Sequence, residues 1–114
     1  MGYDFHITRR EYWADDGNDI SKREVDEVVK DDPELEWDKA LGKDMIRFTG
    51  NSLYVDPWLQ YSEGELNTKW PDTALIRKMI QIARILQANV QGDDGEYYQD
   101  VASIPDDWDQ NLRT

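Results

Sequence analysis

The most apolar stretch of the chain covers residues 72–88 and has the period of a helix. At about 100° per residue its apolar positions fall within one broad arc, with the charged positions opposite. Asp72 is a good N-cap, and Pro71 ends the preceding strand because proline has no N–H for a ladder. We therefore predict a core helix here, with Asn89 as the left-handed residue that ends it. Ile85 alone lies among the polar positions, which fits either cover by a loop or contact with a partner.

Alternating polar and apolar residues, bounded by turn residues, predict the strands. The predicted segments are 3–9, 35–37, 45–48, 52–55, 58–61, 65–70, 90–91 and 96–98. In the first segment His6 faces away from Phe5 and Ile7, and we expect this strand to pair centrally. Asp94-Gly95 is a favoured type I′ turn dipeptide, so the last two segments are predicted to form a hairpin.

A short first helix is predicted from its N-terminal signals. Ser21 and Glu24 form a capping box, and Ile20 and Val25 hold the positions of a hydrophobic staple. Asp32-Pro33 ends this helix. The order of elements predicts an α+β fold with a single, largely antiparallel sheet of about five to six strands. One long and one short helix are expected on one face of that sheet.

Length and composition limit the class of protein. With 114 residues the chain can build its own core, so we predict one domain over residues 1–114. Residues 99–114 form an acidic tail that either packs through Trp108 or hangs free. There is no cysteine, no run approaching about 18 apolar residues, and no basic start followed by an apolar stretch. We therefore expect a cytoplasmic protein with no disulfide, membrane span or secretory signal.

The charge balance points to the kind of partner. The chain has 25 acidic and 13 basic residues, for a net charge of −12. Residues 1–38 and 93–114 hold all of the excess acid, with net charges of −8 and −6, whereas residues 39–92 have a net charge of +2. Such a surface repels nucleic acid and anionic lipid, and it speeds the capture of cationic partners. We expect a basic protein partner, no nucleic acid and no membrane.

Catalytic patterns are weak in this sequence. His6 is the only histidine, and without cysteine a Ser-His-Asp or Cys-His set has little to build on. The acidic runs 15–19 and 93–96 lack the ligand spacing of a calcium loop, and no glycine-rich phosphate loop precedes a helix. We expect no enzyme and no cofactor. A small carboxylate-based metal-binding or hydrolytic domain around His6 stays open as the alternative.

Aromatic residues beside acids mark three candidate contact segments: the loop after the first strand, the predicted hairpin and the tail. Aromatic side chains fill interface pockets, and acids steer a basic partner. The candidate partner-binding residues are Trp13, Asp15, Asp16, Asp19, Asp93, Asp94, Glu96, Tyr98, Asp106, Asp107 and Trp108. Two other roles stay open. The loop aromatics could anchor the loop over the core, and the hairpin acids could be turn residues that the fold requires.

Two stretches carry a family resemblance over about half of the chain. The opening Met1-Gly2-Tyr3-Asp4-Phe5 looks like the start of a group of small bacterial proteins. The stretch 58–96, with Gly64-Glu65-Leu66-Asn67-Thr68-Lys69 and Gly92-Asp93-Asp94-Gly95-Glu96, is similar to the end of the same group. Small acidic proteins of this kind resemble the immunity proteins of bacterial polymorphic toxin systems, including contact-dependent inhibition and type VI secretion. The resemblance implies a cognate toxin as partner, often a basic nuclease, whose active site is blocked. It implies no catalytic residues, no particular binding face and no oligomeric state.

Overall fold

The computed structural model describes residues 3–112, so Met1 and Gly2 of the opening motif and the last two residues of the tail lie outside the described residues. The elements in chain order are β1 (Asp4–Thr8), α1 (Lys22–Asp31), β2 (Leu35–Trp37), β3 (Met45–Phe48), β4 (Trp58–Ser62), β5 (Glu65–Lys69), α2 (Thr73–Leu86) and β6 (Asn89–Gly92), followed by two short 3-10 helices, Val101–Ser103 and Trp108–Leu112.

The strands form one antiparallel sheet in the order β2-β3-β4-β5-β1-β6. β1 pairs with β5 on one side and β6 on the other, which confirms its predicted central pairing. Phe5 and Ile7 are fully buried in one core with the apolar faces of both helices. The predicted α+β class, with one long and one short helix on a largely antiparallel sheet, is confirmed. His6 points to the opposite face because side chains alternate along a strand.

Helix α2 begins as predicted and ends earlier. The Asp72 carboxylate accepts the backbone N–H of Leu75 at 3.0 Å, as an N-cap does. The helix stops at Leu86, and Gln87 takes the left-handed conformation with φ of 53°. The prediction of Asn89 for this role was wrong, because Asn89 is already the first residue of β6, opposite Thr8.

The predicted strand over 52–55 was also wrong. Asp72 accepts hydrogen bonds from the Ser52 hydroxyl at 2.8 Å and from the Leu53 N–H at 2.7 Å, besides capping α2. These side-chain bonds take the place of ladder bonds and hold the segment as a series of bends.

The hairpin after β6 is smaller than predicted. The turn runs from Gly92 to Gly95, whose N–H donates to the Gly92 carbonyl at 3.0 Å, and Gly95 alone has a positive φ there. This is a three-residue loop, not a type I′ turn at Asp94-Gly95. The return strand is reduced to a single bridge between Gln91 and Tyr97.

The start of α1 and the C-terminal tail are both held by side-chain contacts. The Ser21–Glu24 capping box of α1 is present as predicted. In the tail, Trp108 packs edge-on against Phe5, with ring centroids 5.5 Å apart, and its Nε1 donates to the Pro71 carbonyl at 2.7 Å. The tail therefore packs through Trp108.

No helix within residues 3–112 is long and apolar enough to cross a membrane.

Candidate functional site

The loop between β1 and α1 folds back over the side of the sheet that carries no helix. Trp13 lies face to face on His6, with ring centroids 4.0 Å apart. The Trp13 indole Nε1 donates to the Asp93 carbonyl at 2.9 Å, and its backbone N–H donates to the Gln91 side chain at 3.0 Å. Trp13 thus anchors the loop both to β1 and to the turn after β6.

His6 bridges two carboxylates beneath this tryptophan. It is 3% exposed, with Nδ1 2.6 Å from Glu65 Oε2 and Nε2 2.9 Å from Asp93 Oδ1. Burial lowers the pKa of His6, but the hydrogen bonds and negative charges of the two carboxylates outweigh it, so the pKa is raised above 6.5. The two acceptors favour the imidazolium form, in which both nitrogens donate.

Arg10 is the second buried cation of this region and holds the loop in shape. Its guanidinium donates to the carbonyls of Gly17 at 2.7 Å, Trp13 at 3.1 Å and Glu63 at 2.6 Å. It also bonds the Asp19 carboxylate at 2.7 Å. The planar fork of arginine can satisfy several acceptors at once, so one side chain ties the loop to the turn between β4 and β5.

Glu65 lies between the two buried cations. Its Oε2 bonds His6, and its Oε1 is 3.8 Å from Arg10 Nη1. That Oε1 is buried and has no hydrogen-bond partner among the described residues. A buried carboxylate is stable only beside positive charge, and here Arg10 and protonated His6 supply it.

These residues form the floor of a cleft of about 610 Å³ with an acidic rim. The cleft is lined by Asp4, His6, Arg10, Trp13, Ala14, Asp15, Asp16, Gly17, Asp19, Ser62, Glu63, Glu65 and Asn67. Both floor cations are engaged by carboxylates within the protein, whereas Asp15, Asp16 and Glu63 are exposed at the rim. The cleft is therefore suited to accept the cationic side chain of another molecule.

The structure brings some of the predicted contact residues together and separates others. Trp13, Asp15, Asp16 and Asp19 line the cleft, and Asp93 bonds His6 at its floor. Asp94 is exposed beside Asp93 in the turn.

Two predicted hairpin residues, Glu96 and Tyr98, are half-buried beside the turn. Tyr98 stacks on Phe5 with ring centroids 4.7 Å apart, and its hydroxyl donates to Glu96 at 3.1 Å. Glu96 also accepts from the Tyr3 hydroxyl. Burial and the Glu96 charge raise the pKa of Tyr98 to about 12. These two side chains support the core beneath the turn.

The tail acids lie apart from the cleft. Asp106 and Asp107 are exposed beside Trp108, whose ring contacts Phe5 on the helical side of the sheet. The loop segment thus lies next to Asp93 of the hairpin, whereas the tail segment lies away from both.

Arg10, Glu63 and Glu65 line the cleft and were not among the predicted site residues. The one available signal was the alternation of β5, which puts Glu65 and Asn67 on a polar face as His6 is in β1. Because that alternation does not say which strands are neighbours, the sequence alone could not place Glu65 next to His6.

A second surface feature is an exposed apolar edge that the sequence predicted as a strand. Leu53, Tyr54, Val55 and Trp70 are all exposed, and Val55 is 93% exposed. Trp70 has a φ of 44°, an uncommon conformation for a bulky residue. The Tyr54 hydroxyl donates to the Trp70 carbonyl at 2.6 Å and braces it.

The chain matches no protein-family model, no curated protein and no solved structure.

Proposed function

We propose that the protein is an immunity protein, which binds a cognate toxin domain of basic charge and neutralises it through the acidic cleft. The observation that supports this most is the convergence of exposed acids from two segments on one cleft. Asp15 and Asp16 come from the loop after β1, and Glu63 comes from the turn between β4 and β5.

The negative charge of the rim is complementary to the basic surface of an enzyme that acts on nucleic acid. A nuclease must bind phosphates, so its substrate surface carries Lys and Arg. Exposed carboxylates around a cleft attract such a surface over long range and raise the association rate. When a cationic side chain of the toxin enters the cleft, it can no longer bind the phosphates of the toxin's substrate.

The cleft is also held in shape before any partner arrives. Arg10 fixes the loop through four acceptors, and Trp13 is fixed by its stacking on His6. A preordered loop loses less conformational entropy on binding, which favours high affinity. This rigidity is expected of an inhibitor whose partner must be captured before it acts.

The same residues give less support to the alternative of a metal-binding or hydrolytic domain. His6 is nearly inaccessible under Trp13, and both of its nitrogens are already bonded to carboxylates. Within residues 3–112, no three or more His, Asp or Glu side chains are grouped to hold a metal ion. A general base has to reach the proton that it removes, and buried His6 cannot reach a substrate in the cleft.

Co-expression in the native host tests the proposal. The gene is expressed with and without each neighbouring toxin-like gene, the adjacent upstream gene first, and cell survival is measured. We expect protection against one of these genes, and recovery of its product with the tagged protein. Failure to protect against any of them, with no basic protein recovered, contradicts the proposal.

A further inference from the structure

A second groove lies on the helical side of the molecule, between α1 and α2. It has a volume of about 500 Å³ and an apolar floor made by Val28, Pro33, Ile85 and Leu86. Ile85 is 65% exposed even though it is a large apolar residue. It lies on the side of α2 that otherwise carries polar residues, and no loop covers it within the described chain.

Every charged side chain that lines this groove is acidic. Glu24 and Asp32 are ion-paired, with Arg9 and with Lys78 respectively. Glu27 and Asp31 take part in no ion pair among residues 3–112. A ligand that fits an apolar floor beside two unpaired carboxylates has an apolar side chain with Lys or Arg next to it.

We propose that this groove docks a partner protein segment that presents an apolar anchor flanked by basic residues. Amphipathic helices bind grooves in this way, with anchors at positions i, i+3, i+4 and i+7. The charge argues against the other occupants. A second copy of this chain would bring the same acids face to face, and anionic lipid or nucleic acid would be repelled.

The groove is distinct from the acidic cleft. It is built on the two helices, whereas the cleft lies on the opposite face of the sheet. The proposal does not rest on the immunity function, because a partner of this chemistry could dock whether or not a toxin occupies the cleft.

A peptide titration of the full-length protein tests the groove. The probe is a synthetic helical peptide of about 14 residues, made of Leu and Lys with the leucines on one face. A control peptide of the same composition has its leucines scattered around the helix. We expect saturable binding of the first peptide, with amide chemical-shift changes centred on Val28, Ile85 and Leu86. The scattered peptide is expected to bind at least about tenfold more weakly.

Two pairs of variants separate the groove from general charge attraction. I85S is expected to weaken binding by about tenfold, whereas V55S, at an even more exposed apolar residue, is expected to leave it unchanged. E27Q/D31N is expected to weaken binding more than D106N/D107N, which removes the same charge elsewhere. Circular dichroism confirms that each variant is folded.

The proposal is overturned if both peptides bind alike, if I85S binds as well as the wild type, or if the shift changes centre on the cleft. It is also overturned if sedimentation shows a dimer that I85S dissociates, because the occupant is then a second copy. The peptide is expected to bind D15N/D16N as it binds the wild type. A failure of the groove proposal can therefore be distinguished from a failure of the cleft proposal.

Discussion

Trp13 lies ring on ring with His6, its centroid 4.0 Å away and its plane only 7° from parallel. Through this contact one tryptophan covers a buried histidine and positions the loop that carries Asp15 and Asp16. An aromatic face above an imidazolium is attractive, because the ring quadrupole favours a cation. The packing of buried His6 and the shape of the acidic cleft are therefore linked.

Replacing His6 with glutamine is expected to destabilise the protein by about 3 kcal/mol. The reason is that Glu65 and Asp93 lose the cation that lies between them. Urea unfolding at pH 6 measures the change. E36Q, at an exposed residue of β2, is the control and is expected to change stability by less than about 0.5 kcal/mol. Wild-type stability in the H6Q variant contradicts the buried ion-pair arrangement.

The stability contributed by His6 is expected to depend on pH in one direction. Its pKa in the folded protein is raised above 6.5, so the folded state holds the proton more tightly than the unfolded state. The contribution is complete below pH 6.5 and is lost as the pH rises through the folded pKa. The difference in unfolding free energy between wild type and H6Q should therefore shrink as the pH rises above about 6.5. Because the chain has one histidine, its NMR titration gives the folded pKa directly, and a value below 6.5 contradicts the account.

Replacing Arg10 with lysine is expected to loosen the loop although the charge is kept. Lysine cannot reproduce the planar fork that reaches Gly17, Trp13 and Glu63 at once. We expect faster hydrogen exchange of the loop amides and a loss of about 2 kcal/mol in stability. R84K, whose arginine makes a single 3.3 Å bond to the Gln99 carbonyl, is the matched control. Equal exchange in both variants would show that Arg10 does not order the loop.

Replacing Gln87 with glycine is expected to stabilise the protein by roughly 0.5 to 1 kcal/mol. Gln87 is exposed and holds the left-handed conformation that ends α2, and its backbone bonds do not need a side chain. The same change at Gln81, exposed within the helix, is expected to destabilise by about 1 kcal/mol. Thermal or urea unfolding of the two variants gives the comparison, and a destabilised Q87G contradicts the predicted strain.

Local signals were enough to predict both helices and the sheet class. The Ser21–Glu24 box and the Asp72 cap depend on residues a few positions apart, so the sequence contains the whole interaction. The strand prediction for residues 52–55 was wrong because their backbone is held by Asp72, about twenty residues further on. Side-chain bonds over that separation leave no local pattern.

The candidate site was harder to predict than the fold. The acids of the loop were predicted as contact residues from their position beside Trp13. Their placement near Glu65 and Asp93 depends on strand order and register. His6 looks like an isolated surface histidine until β5 and β6 are placed on either side of it. Tyr98 and Trp108 satisfied the same aromatic-and-acid pattern as Trp13, yet they pack against Phe5. Composition does not distinguish an aromatic anchor of the core from one of an interface.

The most direct test of the central claim compares two charge-matched variants against the toxin domain recovered with the protein. D15N/D16N removes two exposed rim acids of the cleft, and D106N/D107N removes two exposed acids of the tail. Association rates are measured by stopped flow over a range of salt concentrations. We predict that D15N/D16N slows association by about tenfold and weakens its dependence on salt, whereas D106N/D107N has a small effect. Equal effects of the two variants, or an association rate that does not respond to salt, would contradict the cleft as the binding surface.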